Sequence, residues 1–132
     1  MEKVVALPSK LENLRQVEKL IDDISSENNI GSDIYGNILI AALEAANNAI
    51  LHGNKLDSDK EVKIVININN DLLTLIVEDQ GEGFDYENIP DPTAPENIEN
   101  VNGRGVFLME KLSDGIEFDN NGAKVKLEFK LA

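Results

Sequence analysis

The sequence contains no cysteine and no tryptophan, and only one of its 132 residues is histidine. Without cysteine the protein forms neither disulfides nor thiolate metal sites, a composition typical of a reducing compartment. Basic residues are also scarce, because 12 lysines and arginines face 25 aspartates and glutamates, for a formal net charge of −13. A surface this acidic repels the phosphates of nucleic acids and of anionic lipids. We therefore expect no direct nucleic-acid partner.

Long hydrophobic runs are missing as well. The N-terminal segment has no apolar stretch long enough for a signal peptide. No run of residues approaches the roughly 18 apolar residues of a membrane span. Even so, 42% of the residues are hydrophobic and 28% are charged, the balance of an ordinary globular domain. The length fits one domain. The composition thus predicts a single cytoplasmic domain over residues 1–132, without a membrane partner.

Two helices are predicted in the first half of the chain. A short apolar edge strand, Val4–Leu7, precedes Ser9–Glu12, which has the form of a helix capping box. Apolar residues then recur at steps of three and four over residues 11–24, which indicates one face of a helix. A second, alanine-rich helix is predicted from Ser32 to Gly53.

The second half of the chain predicts two β-hairpins and a short helix. Alternating apolar residues favour strands at Lys63–Ile68 and Leu72–Glu78, and again at Gly115–Phe118 and Ala123–Leu131. A helix is predicted between the hairpins, over Gly105–Leu112. The fold class is α+β: a two-layer α/β sandwich whose mixed, mostly antiparallel sheet is covered on one side by helices.

A line of polar residues runs along the second predicted helix. Glu44, Asn48 and His52 follow one another at intervals of four, so they share one face of the helix. Neighbouring Cβ atoms on such a face are about 5–6 Å apart. The line either points into a cleft or forms a solvated stripe. We favour a capping or packing role for His52, which lies near the helix end.

Two glycine-rich turns bracket a long segment with three prolines. Asp79–Phe84 follows a predicted strand, and its glycines allow a ligand to approach the bare backbone. Gly103–Val106 leads into the third helix, where free amides attract anions. Residues 85–102 between them have the length and position of a closing lid. Taken singly, each feature also fits a surface turn, a surface loop or a hinge.

In this order and spacing, the motifs resemble the nucleotide-binding boxes of the GHKL (histidine-kinase-like) ATPase superfamily. The likeness is greatest to the anti-sigma-factor serine/threonine kinases of bacterial partner-switching systems. Glu44–Gly53 resembles the N box, Asp79–Phe84 the G1 box, Asp91–Glu96 the lid and Gly103–Met109 the G2 box. The resemblance extends from about Leu7 to Leu131 and implies the GHKL, or Bergerat, ATP-binding fold with an ATP lid at residues 85–102.

The resemblance also implies roles at the adenine and metal end of a site for ATP and Mg²⁺. Asp79 would accept a hydrogen bond from the adenine amino group, with Gly81 and Gly83 beside the ring. Asn48 would bind Mg²⁺ through its side-chain oxygen, a hard ligand for a hard ion. Glu44 would be the catalytic general base.

At the phosphate end, the resemblance implies that Gly103, Arg104, Gly105 and Val106 bind the nucleotide. Backbone amides and the Arg104 cation would face the phosphates. Two further features bear on these roles. Asn47 lies beside Asn48 and is the alternative metal ligand, although the spacing of four residues from Glu44 favours Asn48. The family often has a threonine in the last strand after a glycine, where this chain has Ala123.

The function implied by the resemblance is that of an ATP–Mg²⁺-dependent serine/threonine protein kinase and anti-sigma factor. Its substrate would be a serine of an anti-anti-sigma (STAS) protein, and a sigma factor would be a second partner. A module that binds ATP without phosphoryl transfer is the alternative, and a histidine-kinase catalytic fragment is less favoured. The oligomeric state is left open, with the apolar segment Val4–Leu7 as a candidate contact of a homodimer.

Overall fold

The computed structural model describes residues 1–81 and 101–131, with the backbone alone described at residues 101–104 and 121. The eight main elements are β1 (Glu2–Pro8), α1 (Leu14–Glu27), α2 (Ser32–Asn48), β2 (Glu61–Asn69), β3 (Leu72–Glu78), α3 (Val101–Leu112), β4 (Gly115–Asp119) and β5 (Lys124–Lys130). Short helical turns lie at Leu11–Asn13, Ala49–Gly53 and Asn120–Gly122. The predicted α+β class is confirmed.

The strands form one sheet in the order β1-β2-β3-β5-β4, and each neighbouring pair is antiparallel. The predicted hairpin between β2 and β3 is present. Asn70 and Asp71 at its turn have φ values of 52° and 62°, as a two-residue turn matched to the strand twist requires. β1 lies at one edge of the sheet, where the sequence predicts an edge strand.

The hydrophobic core lies between one face of the sheet and the helices. Alternate residues of the central strands are buried there, as the predicted two-layer arrangement requires. The helices contribute isoleucine and valine from α1, a set of alanines from α2, and one alanine from the turn after α2: Val17, Ile21, Ile24, Ala41, Ala42, Ala45, Ala46 and Ala49. Because alanine side chains are small, the backbone of α2 can lie close to the sheet. This places the polar line of α2 beside the ends of β3 and β5.

The segment Ser32–Gly53 has the length and composition of a membrane span, with 22 residues and a mean hydropathy of 1.3 over its most apolar 18-residue window. It nevertheless carries Asp33 and Glu44, and its alanine face packs in the core. A core helix of a globular domain passes the same test of length and composition, so this segment is a weak indication of a membrane span.

The predicted capping box at Ser9–Glu12 is wrong. Neither the turn Leu11–Asn13 nor α1 has a side-chain hydrogen bond at its N-cap. The Ser9 hydroxyl is buried and donates instead to the Lys60 carbonyl oxygen, 2.8 Å away. The Ser9 side chain therefore bonds to a residue distant in the sequence and not to the helix that the local pattern predicts.

The third helix begins earlier than predicted. It starts at Val101 rather than near Gly105, so Gly103–Val106 lies inside the helix. Glycine weakens a helix interior but does not forbid it. The predicted lid, residues 85–102, lies outside the described residues except for its last two, which belong to α3.

Candidate functional site

A cavity of about 200 Å³ lies where α2 meets the ends of β3 and β5. Its walls come from α2 and the turn after it, from the ends of the central strands, and from α3 and β4. The lining residues are Ala45, Asn48, Ala49, His52, Gly53, Val77, Asp79, Met109, Phe118, Gly122, Ala123 and Val125. Most of this wall is apolar, and the polar side chains on it are Asn48, His52 and Asp79. An apolar pocket with a few polar groups is the usual form of a small-molecule site.

The end of α2 has an unusual backbone. Ala49–Gly53 forms a π-helical turn, and the Asn54 amide closes it with a hydrogen bond of 2.8 Å to the Ala49 carbonyl oxygen. The sequence predicts a helix through Gly53 but not this widened turn. Short π segments are often found at functional sites. Here the turn places His52 and Gly53 in the cavity wall.

Asp79 lies immediately after β3, and its backbone and side chain are both held. Its amide donates to the Ala123 carbonyl oxygen at 2.8 Å, which continues the pairing of β3 with β5. Its carboxylate Oδ1 accepts from the Gly81 amide at 2.7 Å. This leaves the carboxylate in the wall of the cavity as an acceptor for a ligand donor.

The Asp79 carboxyl is electrostatically unusual. Burial raises its pKa above the ordinary aspartate value, and the neighbouring Glu78 carboxylate adds to the rise. The Gly81 amide and the Lys60 ammonium act in the opposite direction. A carboxyl whose charge is disfavoured by burial gains from a ligand that donates hydrogen bonds to it. Perturbed carboxyls in pockets are candidates for functional groups.

Two glycines allow the turn after β3 to pack against the end of α2. A Cβ atom on Gly53 would overlap the Asp79 carboxylate, and one on Gly81 would overlap the Gly53 carbonyl group. Any side chain at either position would separate the two segments. The Gly-rich motif thus serves close packing within the protein, in addition to the predicted approach of a ligand.

Asn48 and Glu44 lie one turn apart on α2, next to α3. Of the two adjacent asparagines, the structure places Asn48 in the cavity wall. Its Oδ1 atom is buried and has no hydrogen-bond partner among the described residues. A Cβ atom on Gly105 would lie 3.1 Å from Glu44 Oε2. Glu44 therefore faces the helix that the sequence assigns to phosphate binding.

A buried oxygen without a partner fits the predicted metal ligand. Buried polar atoms are nearly always paired, so such an exception calls for an explanation. Mg²⁺ commonly takes one or two protein oxygens and completes its shell with phosphate oxygens and water. Among residues 1–81 and 101–131, no group of three or more His, Cys, Asp or Glu side chains could hold a metal. The single buried amide oxygen of Asn48 fits a metal whose other ligands are phosphate oxygens and water.

The residues predicted to bind phosphate lie at the start of α3. The amides at the start of a helix, up to its third residue, lack an intrahelical acceptor, and in α3 this set includes Gly103 but neither Arg104 nor Gly105. The side chain of Val106 is 7% exposed and packs in the core. Gly83 and the Arg104 side chain lie outside the part of the chain that is described.

Gly105 offers a test of the contact between α2 and α3. A Cβ atom there would lie 2.8 Å from Asn48 Nδ2, the end of a side chain that can rotate away. Gly105→Ala should keep or raise the melting temperature, because alanine favours a helix by about 1 kcal/mol. It should weaken Mg²⁺–ATP binding by roughly fivefold, since the displaced Asn48 amide contributes one hydrogen bond or metal contact. Titration calorimetry measures this.

The matched control for this variant is Gly36→Ala. Gly36 also lies in a helix, α2, but a Cβ atom there would have nothing within 4 Å. This variant should gain the same helix propensity and leave nucleotide affinity unchanged. Equal affinity of both variants for Mg²⁺–ATP would contradict the placement of Asn48 at the metal.

Sequence reasoning missed several residues of the cavity and its support. His52, for which we favoured capping or packing, is instead exposed in the cavity wall. Met109 and Phe118 line the wall from the α3 and β4 side, and no local motif pointed to them. Asn54 is 1% exposed and accepts from the amide of Gln80, the residue after Asp79. In the sequence, the only indication of a role for Asn54 is that it directly follows Gly53, where the second helix is predicted to end.

The sequence matches a known domain family along nearly its whole length. The histidine kinase-like ATPase domain matches residues 7–129. The serine-protein kinase RsbW of Bacillus licheniformis is 30% identical over 115 residues, which cover 83% of this chain and 72% of that protein. The RsbW of Staphylococcus epidermidis is 30% identical over 117 residues, with coverages of 83% and 74%.

Solved structures share the fold. The crystal structure of the RsbU and RsbW domains of a Mycobacterium tuberculosis protein matches with a TM-score of 0.70 at 18% identity, covering 99% of this chain and 32% of that one. The histidine kinase domain of a blue-light-activated kinase from Erythrobacter litoralis matches with a TM-score of 0.56 at 21% identity, covering 94% and 61%. At these identities the likeness extends to architecture alone.

Proposed function

The chain belongs to the histidine kinase-like ATPase domain family, and on that premise we propose that it is an ATP–Mg²⁺-dependent serine kinase and anti-sigma factor acting on a STAS partner. The family predicted from the motifs is confirmed by the match over residues 7–129. The curated relatives are serine-protein kinases, and their match with this chain covers about three-quarters of their length. This chain is therefore an enzyme of the protein kinase class. The acceptor, the metal and the residue roles are our proposal.

The observation that carries the proposal is that one cavity joins Asp79 and Asn48. Asp79 follows β3 and Asn48 ends α2, and the fold brings both into one wall. Asp79 supplies a carboxylate acceptor whose charge is disfavoured by burial. An adenine amino group is a donor that suits it. The apolar residues around it, Val77 and Met109 among them, suit the faces of a base.

The phosphate end of the site is proposed to lie between Asn48 and the start of α3. Asn48 Oδ1 would hold Mg²⁺, which neutralises phosphate charge when bound. The amide of Gly103, in the first turn of α3, would donate to a phosphate oxygen. In a chain with a net charge of −13, a tetraanionic nucleotide needs such local positive partners.

Glu44 is proposed to orient the acceptor and take its proton. The serine oxygen of the partner forms the new bond to the γ-phosphorus, while the bond from that phosphorus to the bridging oxygen breaks and ADP leaves. The hydroxyl proton passes to the Glu44 carboxylate. Glu44 lies one helical turn before Asn48 and against Gly105, which supports a position next to the γ-phosphate rather than the adenine.

The proposed partners are a STAS protein as substrate and a sigma factor as regulatory target, with the enzyme acting in the cytoplasm. A module that binds ATP without transfer remains the second candidate, favoured by one observation. Ala123 lines the cavity at the position where related kinases often have a threonine, and its methyl group offers no hydrogen bond. A homodimer through the β1 edge is also proposed, since Val4 on that strand is 56% exposed.

Intact-mass measurement distinguishes the kinase from the binding module. The protein is incubated with ATP, Mg²⁺ and purified STAS proteins encoded near its gene. We expect one of them to gain a single phosphoryl group, and its variant with alanine at the acceptor serine to gain none. Calorimetry with ATP–Mg²⁺ accompanies the assay. ATP binding with every STAS partner unmodified would contradict the kinase proposal and support the module.

A further inference from the structure

A buried asparagine outside the cavity makes three side-chain hydrogen bonds. Asn54 is 1% exposed. Its Oδ1 accepts from the Gln80 amide at 2.7 Å. Its Nδ2 donates to the Ser9 hydroxyl at 2.7 Å and to the Glu61 carbonyl oxygen at 3.1 Å. The side chain thus joins four segments that are far apart in the sequence: the end of β1, the end of α2, the start of β2 and the turn after β3.

The bonds define the orientation of the Asn54 amide. The Gln80 amide can only donate, and the Glu61 carbonyl can only accept. Residue 54 must therefore present an acceptor to one and a donor to the other at the same time. Aspartate lacks the donor, and alanine lacks both groups. Among buried side chains of this size, asparagine alone meets both requirements.

Asn54 controls one of the two peptide groups that flank Asp79. The peptide before Asp79 is held by the hydrogen bond to the Ala123 carbonyl. The peptide after it is the one whose amide, on Gln80, donates to Asn54. The Gln80 side chain also accepts from the Glu61 amide at 2.7 Å. Without Asn54, the turn that carries the carboxylate loses its hydrogen bond to the segment after α2, and among the described residues its remaining contacts there are the packing of Gly53 against Asp79 and Gly81.

We propose that Asn54 is a positioning residue that orients the Asp79–Gly81 turn and thereby sets the selectivity of the site for adenine. Asn54 does not line the cavity and acts through the Gln80 amide. The inference rests on the proposed adenine-binding role of Asp79. It goes beyond that role by assigning base selectivity to a residue outside the binding motifs.

The test compares ATP with ITP, in which an oxygen replaces the amino group of the base. The wild-type protein should bind ATP about tenfold or more tightly than ITP, because Asp79 accepts from the amino group. In Asn54→Ala this ratio should fall toward one, since a misplaced carboxylate no longer meets the amino group. A ratio of two affinities is insensitive to partial unfolding, which lowers both equally.

Matched variants separate positioning from simple destabilisation. Asn13→Ala removes another buried asparagine, 8% exposed, whose Nδ2 donates to the Pro8 carbonyl at 2.7 Å. It should lower the melting temperature and keep the ratio. Asn54→Asp keeps an acceptor for Gln80 but sets a carboxylate against the Glu61 carbonyl. It should be destabilised at least as much as Asn54→Ala and yet retain more of the ratio.

The outcomes are distinct. The inference is overturned if the ratio of ATP affinity to ITP affinity changes in parallel with the melting temperature in Asn54→Ala, Asn13→Ala and Asn54→Asp. It is also overturned if Asn54→Ala keeps the wild-type ratio. Either result leaves the proposed function unaffected. A wild-type protein that binds neither nucleotide, or binds both equally, overturns the proposed role of Asp79 and the inference with it. Asn54→Ser, too short to reach the Gln80 amide, should lose the ratio as alanine does. If Asn54→Ala does not fold, Asn54→Ser takes its place in the comparison.

Discussion

Phosphoryl transfer by Glu44→Gln is expected to fall about 10²–10⁴-fold, the usual contribution of a general base. Glutamine keeps the length of the side chain and its helix propensity but cannot take up the proton of the serine hydroxyl. ATP affinity should stay within about threefold of the wild-type value, because the proposed base contributes to proton transfer rather than to nucleotide binding. This separation of transfer from binding is the property to be measured.

The structure indicates that Glu44→Gln should fold as the wild-type protein does. Glu44 is partly exposed on α2, so the loss of its charge should not disturb the core. Its carboxylate lies close to Gly105 on α3, and glutamine fits the same space. The melting temperature should therefore be nearly unchanged.

Single-turnover transfer to the STAS partner and calorimetry with ATP–Mg²⁺ are the two measurements. Glu110→Gln is the matched control, since Glu110 is an exposed glutamate on the neighbouring helix α3. It should retain full transfer. Full transfer by Glu44→Gln would remove Glu44 from the catalytic machinery. A wild-type protein that binds ATP and transfers nothing would favour the binding module.

The second large effect is expected for Asp79→Asn, which should bind ATP about tenfold or more weakly. Loss of an acceptor that pairs a buried donor costs about 1–3 kcal/mol. Asparagine presents an NH₂ group to the adenine amino group wherever its oxygen is engaged by the Gly81 amide. That amide already donates to Oδ1 at 2.7 Å, so the orientation with NH₂ toward the cavity is favoured.

Stability should change in the opposite direction. Burial raises the pKa of Asp79 in the folded protein, so the folded state binds this proton more tightly than the unfolded state. The contribution of Asp79 to stability is therefore fully present below the ordinary aspartate pKa. It is lost as the pH rises through the raised pKa. The asparagine side chain carries no charge at any pH, so Asp79→Asn should melt higher than wild type at neutral pH, and this advantage should vanish in acid.

Thermal melts from neutral to acidic pH, together with ATP titration, check both parts. Asp57→Asn is the matched control, because Asp57 Oδ1 also accepts from the amide two residues later, that of Asp59, at 3.0 Å. Asp57 is exposed and lies away from the cavity, so its variant should show neither effect. Unchanged ATP affinity in Asp79→Asn would exclude Asp79 from adenine binding.

Much of the fold could be predicted because it depends on local patterns. The alternation in β2, β3 and β5 identifies their buried faces, and the spacing in α1 identifies its buried side. The turn at Asn70–Asp71 was predicted from residues that tolerate positive φ. Helix spacing likewise favoured Asn48, which lies in the cavity wall. The motif after β3 marked Asp79 directly.

By itself, then, the sequence determined the fold class, the family and the positions of the binding motifs, since each depends on residues close together in the chain. The tertiary structure alone decided how those motifs are held. The π-helical turn at Ala49–Gly53 and the early start of α3 were not predicted. Ser9, expected to cap a helix, instead meets Asn54, 45 residues further along the chain. Such a contact leaves no local pattern, because its partners become neighbours only when the sheet and helices pack.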